Sequence, residues 1–247
     1  MKLPALMTPD DATTPPALSV VLPAYRLGPV IAANLAAVAD AVSAMDAEII
    51  VVDDGSDDDT WARATQAAET VRSANVIRHP TNRGKGDALV TGAAGARGAL
   101  VCFIDADLDL PPDQIIPMVE RLDGADVVVG AKRSHMADST YPTSRRLLSH
   151  VFAFCTTAVF GLPIRETQTG LKVFKRQVLE EVLPSVRLRG YAFDLELMVR
   201  AHRAGYRIVE MPVRLGPTAA SAALRPRMLW ELGRDTLRLG WLLLRGK

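Results

Sequence analysis

Short apolar runs alternate with stretches of helical periodicity along the first half of the chain. The runs are almost continuously apolar, which is typical of parallel strands buried on both faces of a sheet. Strands are predicted over residues 18–22, 48–52, 75–78, 99–104 and 126–129. Helices are predicted over residues 30–45, from 58 or 59 onward, and over 85–97 and 113–122. This alternation predicts an α/β fold, a single domain with a mostly parallel central sheet.

The second half of the chain is less regular. Helices are predicted over residues 145–160 and 194–202, and a strand over 206–213. Residues 1–16 mix Thr, Asp and Pro without an apolar core, and we interpret them as a flexible N-terminal lead-in rather than a signal peptide. The folded domain is therefore predicted over residues 17–215.

The C-terminal segment, residues 226–245, has the pattern of an amphipathic helix. Its polar side chains fall on one narrow helical stripe, and Leu, Met and Trp cover the remainder. Trp230 and Trp241 suit the interface of a bilayer. No stretch reaches the ~18 to 20 continuous apolar residues of a membrane-spanning helix, so the segment is expected to lie on a membrane surface. A helix docked on the domain's own core, or on a partner, is the alternative.

Composition limits the class of protein. With 247 residues, 49% of them hydrophobic, the chain suffices for one sizeable core without disulfides or structural metals. The net charge of +1 argues against a polyanion-coating protein, and no nucleic-acid partner is expected. Cys102 and Cys155 both lie in apolar surroundings, which predicts reduced core thiols in a cytoplasmic protein.

Acidic residues directly follow two of the predicted buried strands. Asp53 and Asp54 follow one strand, and Asp105 and Asp107 follow another. Ligands of open parallel sheets bind beyond the carboxyl ends of the strands, and several carboxylates placed there require a compensating cation. The Asp-x-Asp spacing directs both side chains to one face of an extended backbone, and oxygen ligands suit Mg²⁺ or Mn²⁺. A solvated turn that caps the next helix is the alternative, which we prefer for residues 57–59.

Lys85 stands between two glycines just before a predicted helix. Glycines let the backbone approach a ligand closely, and a helix N-terminus favours a phosphate group. Taken alone, Lys85 is better explained as an exposed lysine at a helix start. A P-loop site for ATP is not expected, because the Gly-x-x-x-x-Gly-Lys-Ser/Thr motif is absent.

Four motifs occur in order along the chain: Val-Val-Leu-Pro-Ala-Tyr at 20–25, Val-Val-Asp-Asp-Gly-Ser at 51–56, Asn-Arg-Gly-Lys-Gly at 82–86 and Asp-Ala-Asp at 105–107. The series resembles the successive motifs of the family 2 glycosyltransferases, and among them the dolichyl- or polyprenyl-phosphate hexose synthases. The resemblance covers residues 17–215 and implies the GT-A nucleotide-diphospho-sugar transferase fold. It also favours a phosphate-binding role for Lys85.

The resemblance implies a role for each matching position. The nucleotide-sugar donor would be bound by Pro23, Ala24, Tyr25, Asp53, Asp54, Lys85, Asp105, Ala106 and Asp107. The metal ion, Mg²⁺ or Mn²⁺, would be held by Asp107 and Asp109, and the acceptor phosphate by Arg133, Arg145 and Ser149. The residues expected to act in catalysis are Asp107, Lys85, Arg133, Arg145 and Gln168. Asp194 and Glu196 match a later motif, but they equally suit capping or pairing within a helix.

The activity implied is the inverting transfer of glucose or mannose from UDP-glucose or GDP-mannose to a polyprenyl or dolichyl phosphate. A phosphate monoester is already anionic, so no strong general base is needed, and no catalytic constellation of histidines is recognisable. The enzyme is expected to act peripherally on the cytoplasmic face of a membrane, alone or with a membrane-protein partner. The alternatives are transfer to a soluble acceptor, and an inactive module that binds a nucleotide sugar or a membrane.

Overall fold

The structure is a computed structural model that describes residues 15–132, 159–190, 192–216, 233–236 and 238–241. Its strands are β1 Leu18–Ala24, β2 Ala47–Asp53, β3 Ala74–Arg78, β4 Leu100–Phe103, β5 Val127–Ala131, β6 Lys172–Lys175 and β7 Ile208–Pro212. Its helices are α1 Ile31–Ala41, α2 Thr60–Thr70, α3 Lys85–Gly95, α4 Ile115–Glu120, α5 Arg176–Val182 and α6 Phe193–Arg203. Short 3₁₀ turns, Pro112–Gln114 and Leu183–Ser185, precede α4 and follow α5.

These strands form one seven-stranded sheet in the order β3-β2-β1-β4-β6-β5-β7. β1 is parallel to β2 and β4, β2 is parallel to β3, and β5 is parallel to β7. Among the described strands, only β6 runs against its neighbours, β4 and β5. The prediction of an α/β fold with a mostly parallel central sheet is therefore confirmed.

The sequence pattern located most elements and missed two. All five strands predicted in the first half are present, and β1 continues through Pro23 to Ala24 in register with β2. α1 ends at Ala41, earlier than predicted. β6 and α5 were not predicted, because β6 has only four residues, with Lys172 and Lys175 at its two ends.

Each face of the sheet is covered by its own hydrophobic core. Val21 on β1 belongs to a cluster with Phe103, Phe174 and residues of α3 and α6. Its neighbours Val20 and Leu22 belong to a second cluster, with residues of α1 and α4. Successive side chains of a strand alternate between the faces of the sheet, so a continuous apolar run contributes to both cores.

The last described residues, 233–236 and 238–241, are helical. Leu239 is fully buried in the same core cluster as Phe193, whereas Trp241 is half exposed. This part of the C-terminal segment therefore packs one face against the domain itself.

Several predicted segments lie outside the described residues. They are residues 1–14 of the lead-in, most of the helix predicted over 145–160, and the remainder of 226–245. Cys155 lies outside them as well, whereas Cys102 is fully buried in β4, and burial raises the pKa of its thiol. None of the described helices is long and apolar enough to cross a membrane.

Candidate active site

The candidate active site lies at the edge of the sheet where the parallel strands end. β1 leads into Tyr25, β2 ends in Asp53, and β4 leads into the Asp-x-Asp motif. β6 is antiparallel, so its first residue, Lys172, lies opposite Phe103 at the same edge. The topology therefore brings together motifs that are far apart in the sequence.

An ion pair between Lys85 and Asp105 forms the centre of this site. Lys85 Nζ, at the start of α3, lies 2.5 Å from Asp105 Oδ1. Burial by itself lowers the pKa of Lys85, but attraction to Asp105 and to Asp194 outweighs it and raises that pKa above its ordinary value. Burial likewise raises the pKa of Asp105, and attraction to Lys85 and two further lysines outweighs it and lowers that pKa. Both side chains are therefore charged at neutral pH.

Gly170 packs directly against the carboxylate of Asp105. A Cβ at Gly170 would lie 2.0 Å from Asp105 Oδ2, far inside contact distance. The chain therefore needs glycine at this position for space. The Asp105 carboxylate thus pairs with Lys85 through Oδ1 and lies against Gly170 through Oδ2.

Asp107 and Asp109 concentrate negative charge beyond Asp105. Asp107 is exposed, and its Oδ1 accepts a hydrogen bond from the Asp109 N–H at 3.2 Å. Leu108 between them has a φ of 52°, in the left-handed region that few residues other than glycine adopt. Burial first, and then repulsion from Asp107, raises the pKa of Asp109. A cation bound here would relieve this repulsion.

This acidic loop fits a divalent cation that takes further ligands from a substrate. The described residues contain no group of three or more His, Cys, Asp or Glu side chains placed to hold a metal ion by themselves. Mg²⁺ in nucleotide sites is typically held by one or two carboxylates together with phosphate oxygens. Asp107 and Asp109 supply the carboxylates of such a donor set.

Asp53 is fully buried and has a carboxylate oxygen that accepts no hydrogen bond. Its Oδ1 accepts a hydrogen bond from the Ser56 N–H at 3.2 Å. Arg78 Nε lies 3.1 Å from Oδ2, but the geometry is that of an ion pair and not of a hydrogen bond. A buried acceptor without a donor is costly, and a ligand N–H would satisfy it.

Asp54, the next residue, is bonded to protein groups. Its Oδ1 accepts a hydrogen bond from the Arg83 N–H at 2.9 Å, and its Oδ2 accepts one from the Gly84 N–H at 2.7 Å. His79 Nδ1 lies 2.7 Å from the same Oδ1. Asp54 thus holds the loop that leads into Lys85.

The remaining residues predicted to bind the donor lie at the end of β1 or shortly after β1 and β4. Pro23 and Ala24 are its last residues, and Ala24 is buried. Tyr25 is 40% exposed, with the Arg26 guanidinium 5.2 Å from the centre of its ring. Ala106 is buried, and its carbonyl oxygen accepts a hydrogen bond from a side chain of α1. Among these positions Tyr25 offers the largest surface to a ligand.

A second ion pair, between Lys172 and Asp194, lies inside the protein close to the first. Lys172 Nζ is 2.6 Å from Asp194 Oδ1, and it also donates to the carbonyl of Thr169. The Lys172 side chain is 1% exposed, and burial lowers its pKa below the ordinary value. Lys172 is not among the residues predicted for the site, although a lysine between the apolar residues of 171–174 is a sequence signal for a buried partner.

Two polar atoms just before β6 are buried without a hydrogen-bond partner. They are Gln168 Nε2 and Thr169 Oγ1. Both residues precede Gly170, which contacts Asp105. Unsatisfied buried polar atoms are rare in native proteins, which marks this segment beside Asp105 as a functional candidate.

The two carboxylates of the later motif are paired inside the domain. Glu196 is fully buried, accepts hydrogen bonds from the Arg187 and Leu188 N–H groups, and pairs with Arg200 at 2.7 Å. Asp194 is paired with Lys172, as described above. The Glu196–Arg200 pair is the pairing within a helix that the sequence suggested, whereas Asp194 pairs with Lys172 on β6.

The residues predicted to bind the acceptor phosphate, Arg133, Arg145 and Ser149, lie outside the described residues. Lys132, the last described residue before them, follows β5, which ends at the same edge of the sheet as β4. The segment that carries the three residues therefore leaves the sheet at the candidate site.

The chain matches the model of Glycosyl transferase family 2 over residues 19–183, and it belongs to that family. This confirms the family resemblance drawn from the four ordered motifs.

Curated relatives are about 30% identical to the chain over the aligned residues. An undecaprenyl-phosphate mannosyltransferase of Micrococcus luteus is 29% identical over 90% of this chain and 94% of its own length. A dolichyl-phosphate beta-glucosyltransferase of Drosophila melanogaster is 33% identical over 76% of this chain and 61% of its own. Glycosyltransferase AglD of Haloferax volcanii is 30% identical over 91% of this chain, which spans only 37% of AglD.

Solved structures share the fold at lower sequence identity. Mannosyl-3-phosphoglycerate synthase from Rubrobacter xylanophilus has a TM-score of 0.67 at 20% identity, covering 94% of this chain and 75% of that protein. Glucosyl-3-phosphoglycerate synthase from Mycobacterium tuberculosis, crystallised with Mn²⁺, uridine-diphosphate and phosphoglyceric acid, has a TM-score of 0.66 at 21% identity, covering 91% and 78%. The GT-A fold implied by the resemblance is thereby confirmed.

Proposed function

We propose that the protein transfers glucose or mannose from a nucleotide diphosphate sugar to a polyprenyl or dolichyl phosphate, with inversion at the sugar. The observation that carries this proposal is the Lys85–Asp105 pair beside the Asp107–Asp109 loop, at the end of the parallel strands. The relatives named for transfer to undecaprenyl or dolichyl phosphate support the choice of acceptor, and the Micrococcus relative does so over nearly its whole length.

The donor is expected to lie across the ends of β1, β2 and β4. The Asp53 oxygen that lacks a donor would accept an N–H of the nucleobase, and Tyr25 would cover the nucleoside. Lys85 would place its charge at the diphosphate, where it stabilises the leaving group. A Mg²⁺ or Mn²⁺ ion held by Asp107 and Asp109 would supply Lewis-acid stabilisation of the same charge, and solved relatives of the fold were crystallised with Mn²⁺ or Mg²⁺.

The acceptor phosphate needs positioning more than deprotonation. Arg133, Arg145 and Ser149 would hold it beside the sugar, because guanidinium forks match a phosphate monoester. Asp194 and Glu196 are the buried carboxylates of α6, and both are engaged in ion pairs. A mechanism without a general base agrees with these pairings. Gln168 would contact the sugar through its buried amide.

A transfer assay tests this proposal. Purified protein is incubated with Mn²⁺, a short polyprenyl phosphate, and labelled UDP-glucose or GDP-mannose in parallel, and the label in an organic extract is counted. We expect label from one donor, reduced by about a hundredfold or more in Asp107→Asn. Asp113→Asn is the control, because Asp113 is an exposed carboxylate paired with Arg214.

Each result of this assay has a defined meaning. If the nucleotide sugar is hydrolysed but no label reaches the lipid, the acceptor is soluble and the lipid assignment is wrong. If neither donor is bound, hydrolysed or transferred, the assigned donor site is wrong.

We propose further that the enzyme works peripherally on the cytoplasmic face of a membrane, alone or with a membrane-protein partner. The lipid acceptor requires access to a bilayer surface. Trp241, half exposed on a segment whose other face is buried through Leu239, is suited to the headgroup region.

A further inference from the structure

His79 occupies a buried position between β3 and α3 that the proposed mechanism does not use. The residue is 4% exposed. Its Nδ1 lies 2.7 Å from Asp54 Oδ1, and its Nε2 lies 2.8 Å from Thr91 Oγ1 on α3. Asp54 is a carboxylate, so Nδ1 carries the proton and donates to it. Nδ1 therefore donates to Asp54, and Nε2 is hydrogen-bonded to Thr91.

The other bonds of Asp54 lead to the loop before α3. Its two oxygens accept the N–H groups of Arg83 and Gly84, one each. Gly84 has a φ of 95°, a conformation that turns the chain and that glycine adopts readily. The next residue is Lys85, whose ammonium group reaches Asp105. A continuous series of contacts thus runs from His79 through Asp54 to Lys85.

The contacts from Asp54 to the loop before Lys85 depend on the orientation of the Asp54 carboxylate. The terminal torsion of an aspartate is broad, so two donors on two different oxygens are both satisfied only if the carboxylate plane is held. The Nδ1–H of His79 supplies a third, rigid donor on one of those oxygens. The imidazole is in turn held by Thr91 and by its burial.

We propose that His79 is a positioning residue of the donor site. It orients Asp54 so that both carboxylate oxygens bind the 83–84 backbone, and it thereby sets the place of Lys85. The link to nucleotide affinity rests on the proposed function, which assigns the donor diphosphate to Lys85.

Two substitutions at His79 separate positioning from core filling. The amide of asparagine falls near the place of Nδ1, so His79→Asn can keep the bond to Asp54 and lose the one to Thr91. The amide of glutamine falls near Nε2, so His79→Gln keeps the bond to Thr91 and loses the one to Asp54. Thr91→Val is the control, since it removes the hydroxyl at nearly constant shape.

Two measurements are made on each full-length variant, with thermal unfolding recorded beside them. Amide exchange of Arg83 and Gly84 is followed by NMR, and the affinities for UDP and GDP are measured with Mn²⁺ by calorimetry. We expect His79→Gln to exchange both amides faster and to weaken nucleotide binding about tenfold or more. In His79→Asn and Thr91→Val, we expect amide exchange to accelerate less and nucleotide affinity to fall less than in His79→Gln. The melting temperatures of the three variants should be similar.

The possible results separate this proposal from the proposed function. Equal losses in His79→Asn and His79→Gln, or wild-type behaviour of His79→Gln, would show that His79 only fills the core and would overturn the proposal. If the unmodified protein binds neither nucleotide, the assigned donor site is wrong, while the exchange rates still decide the role of His79. If His79→Gln does not fold, His79→Ala takes its place: it must show faster exchange at both amides than His79→Asn, and equal exchange in the two variants would refute the positioning role.

Discussion

At the scale of single residues, the site is built from charges that are already compensated by the protein. Lys85 faces Asp105, and Lys172 faces Asp194, on neighbouring elements. Buried or half-buried ions are stable only when paired and hydrogen-bonded. In contrast, Asp107 and Asp109, in the loop that follows β4, repel each other. A metal ion is expected there because it would compensate the two negative charges.

The substitution Gly170→Ala tests whether the close contact between Gly170 and the Asp105 carboxylate matters for activity. In Gly170→Ala the new methyl group would lie 2.0 Å from Asp105 Oδ2, so the Asp105 carboxylate must shift from the position in which it pairs with Lys85. We expect hexose transfer to fall about a hundredfold, because misplacement of a binding group by about 1 Å has that effect. The assay is steady-state transfer at saturating acceptor.

Gly205→Ala is the matched control for this substitution. Gly205 has a φ of 89° and open space around it, so alanine there costs about 1–2 kcal/mol of stability by backbone strain, away from the site. If the two variants keep the same activity, the close contact at Gly170 has no functional meaning.

The sequence identifies some of these residues and not others, for a physical reason. Lys85, Asp105 and Asp107 stand in motifs whose order along the chain is itself informative. His79 and Lys172 acquire their roles from partners more than 20 residues away, which are Asp54 and Asp194. Only the fold brings these pairs together.

At the scale of elements, α3 lies close to β1 because it carries a glycine where the two meet. A Cβ at Gly92 would lie 2.2 Å from Val21 Cγ1, whereas one at Gly95 on the same helix meets atoms only at 3.8 Å. We expect Gly92→Ala to lower the free energy of unfolding by about 1–3 kcal/mol through overpacking. Gly95→Ala should leave it unchanged or raise it by up to about 1 kcal/mol. Urea unfolding of both proteins checks the difference, and equal midpoints would contradict it.

Glu48 connects β2 to β1 and to the loop before β4. Its Oε1 accepts hydrogen bonds from Ser19 Oγ and from the Arg97 N–H, and its Oε2 pairs with the Arg97 guanidinium. Burial raises the pKa of Glu48, but these hydrogen bonds together outweigh it and lower that pKa below the ordinary value. The stabilisation is therefore present above the ordinary pKa of glutamate and is lost as the pH falls through the lowered one.

This sign gives a prediction for Glu48→Gln. The unmodified protein should be more stable than the variant at pH 6, and the difference should shrink on acidification towards pH 3. Urea midpoints at several pH values measure it, with Glu69→Gln, an exposed carboxylate on α2, as the control. A difference that stays constant with pH would refute the argument.

The sequence predicts those strands and helices that have a clear local pattern of apolar and polar residues. Apolar runs such as 49–52 indicate buried parallel strands, and these strands are present in the sheet. β6 has four residues with a lysine at each end, so its place between β4 and β5 depends on pairing that no local pattern records.

At the scale of the whole molecule, the described residues of the C-terminal segment include one that is buried against the domain and one that is half exposed. Leu239 is fully buried, so Leu239→Ala should lower the free energy of unfolding by about 2–5 kcal/mol. Trp241 is half exposed, so Trp241→Ala should change stability by only about 0.5 kcal/mol while weakening sedimentation with anionic vesicles. Chemical unfolding and vesicle co-sedimentation of both variants test this. Unchanged vesicle binding in Trp241→Ala would remove this residue from the membrane contact.

The antiparallel pairing of β5 with β6 has a consequence for how such enzymes diversify. The chain leaves the sheet at Ala131 and returns at Lys172, and the two strands are hydrogen-bonded neighbours. A loop closed by such a ladder tolerates insertions well, since each doubling of its length costs only about 0.6 kcal/mol. The residues proposed to bind the acceptor, Arg133, Arg145 and Ser149, fall within this connection, so we expect that it can be lengthened or exchanged during evolution, and new acceptors acquired, while β1, β2 and β4 stay as they are.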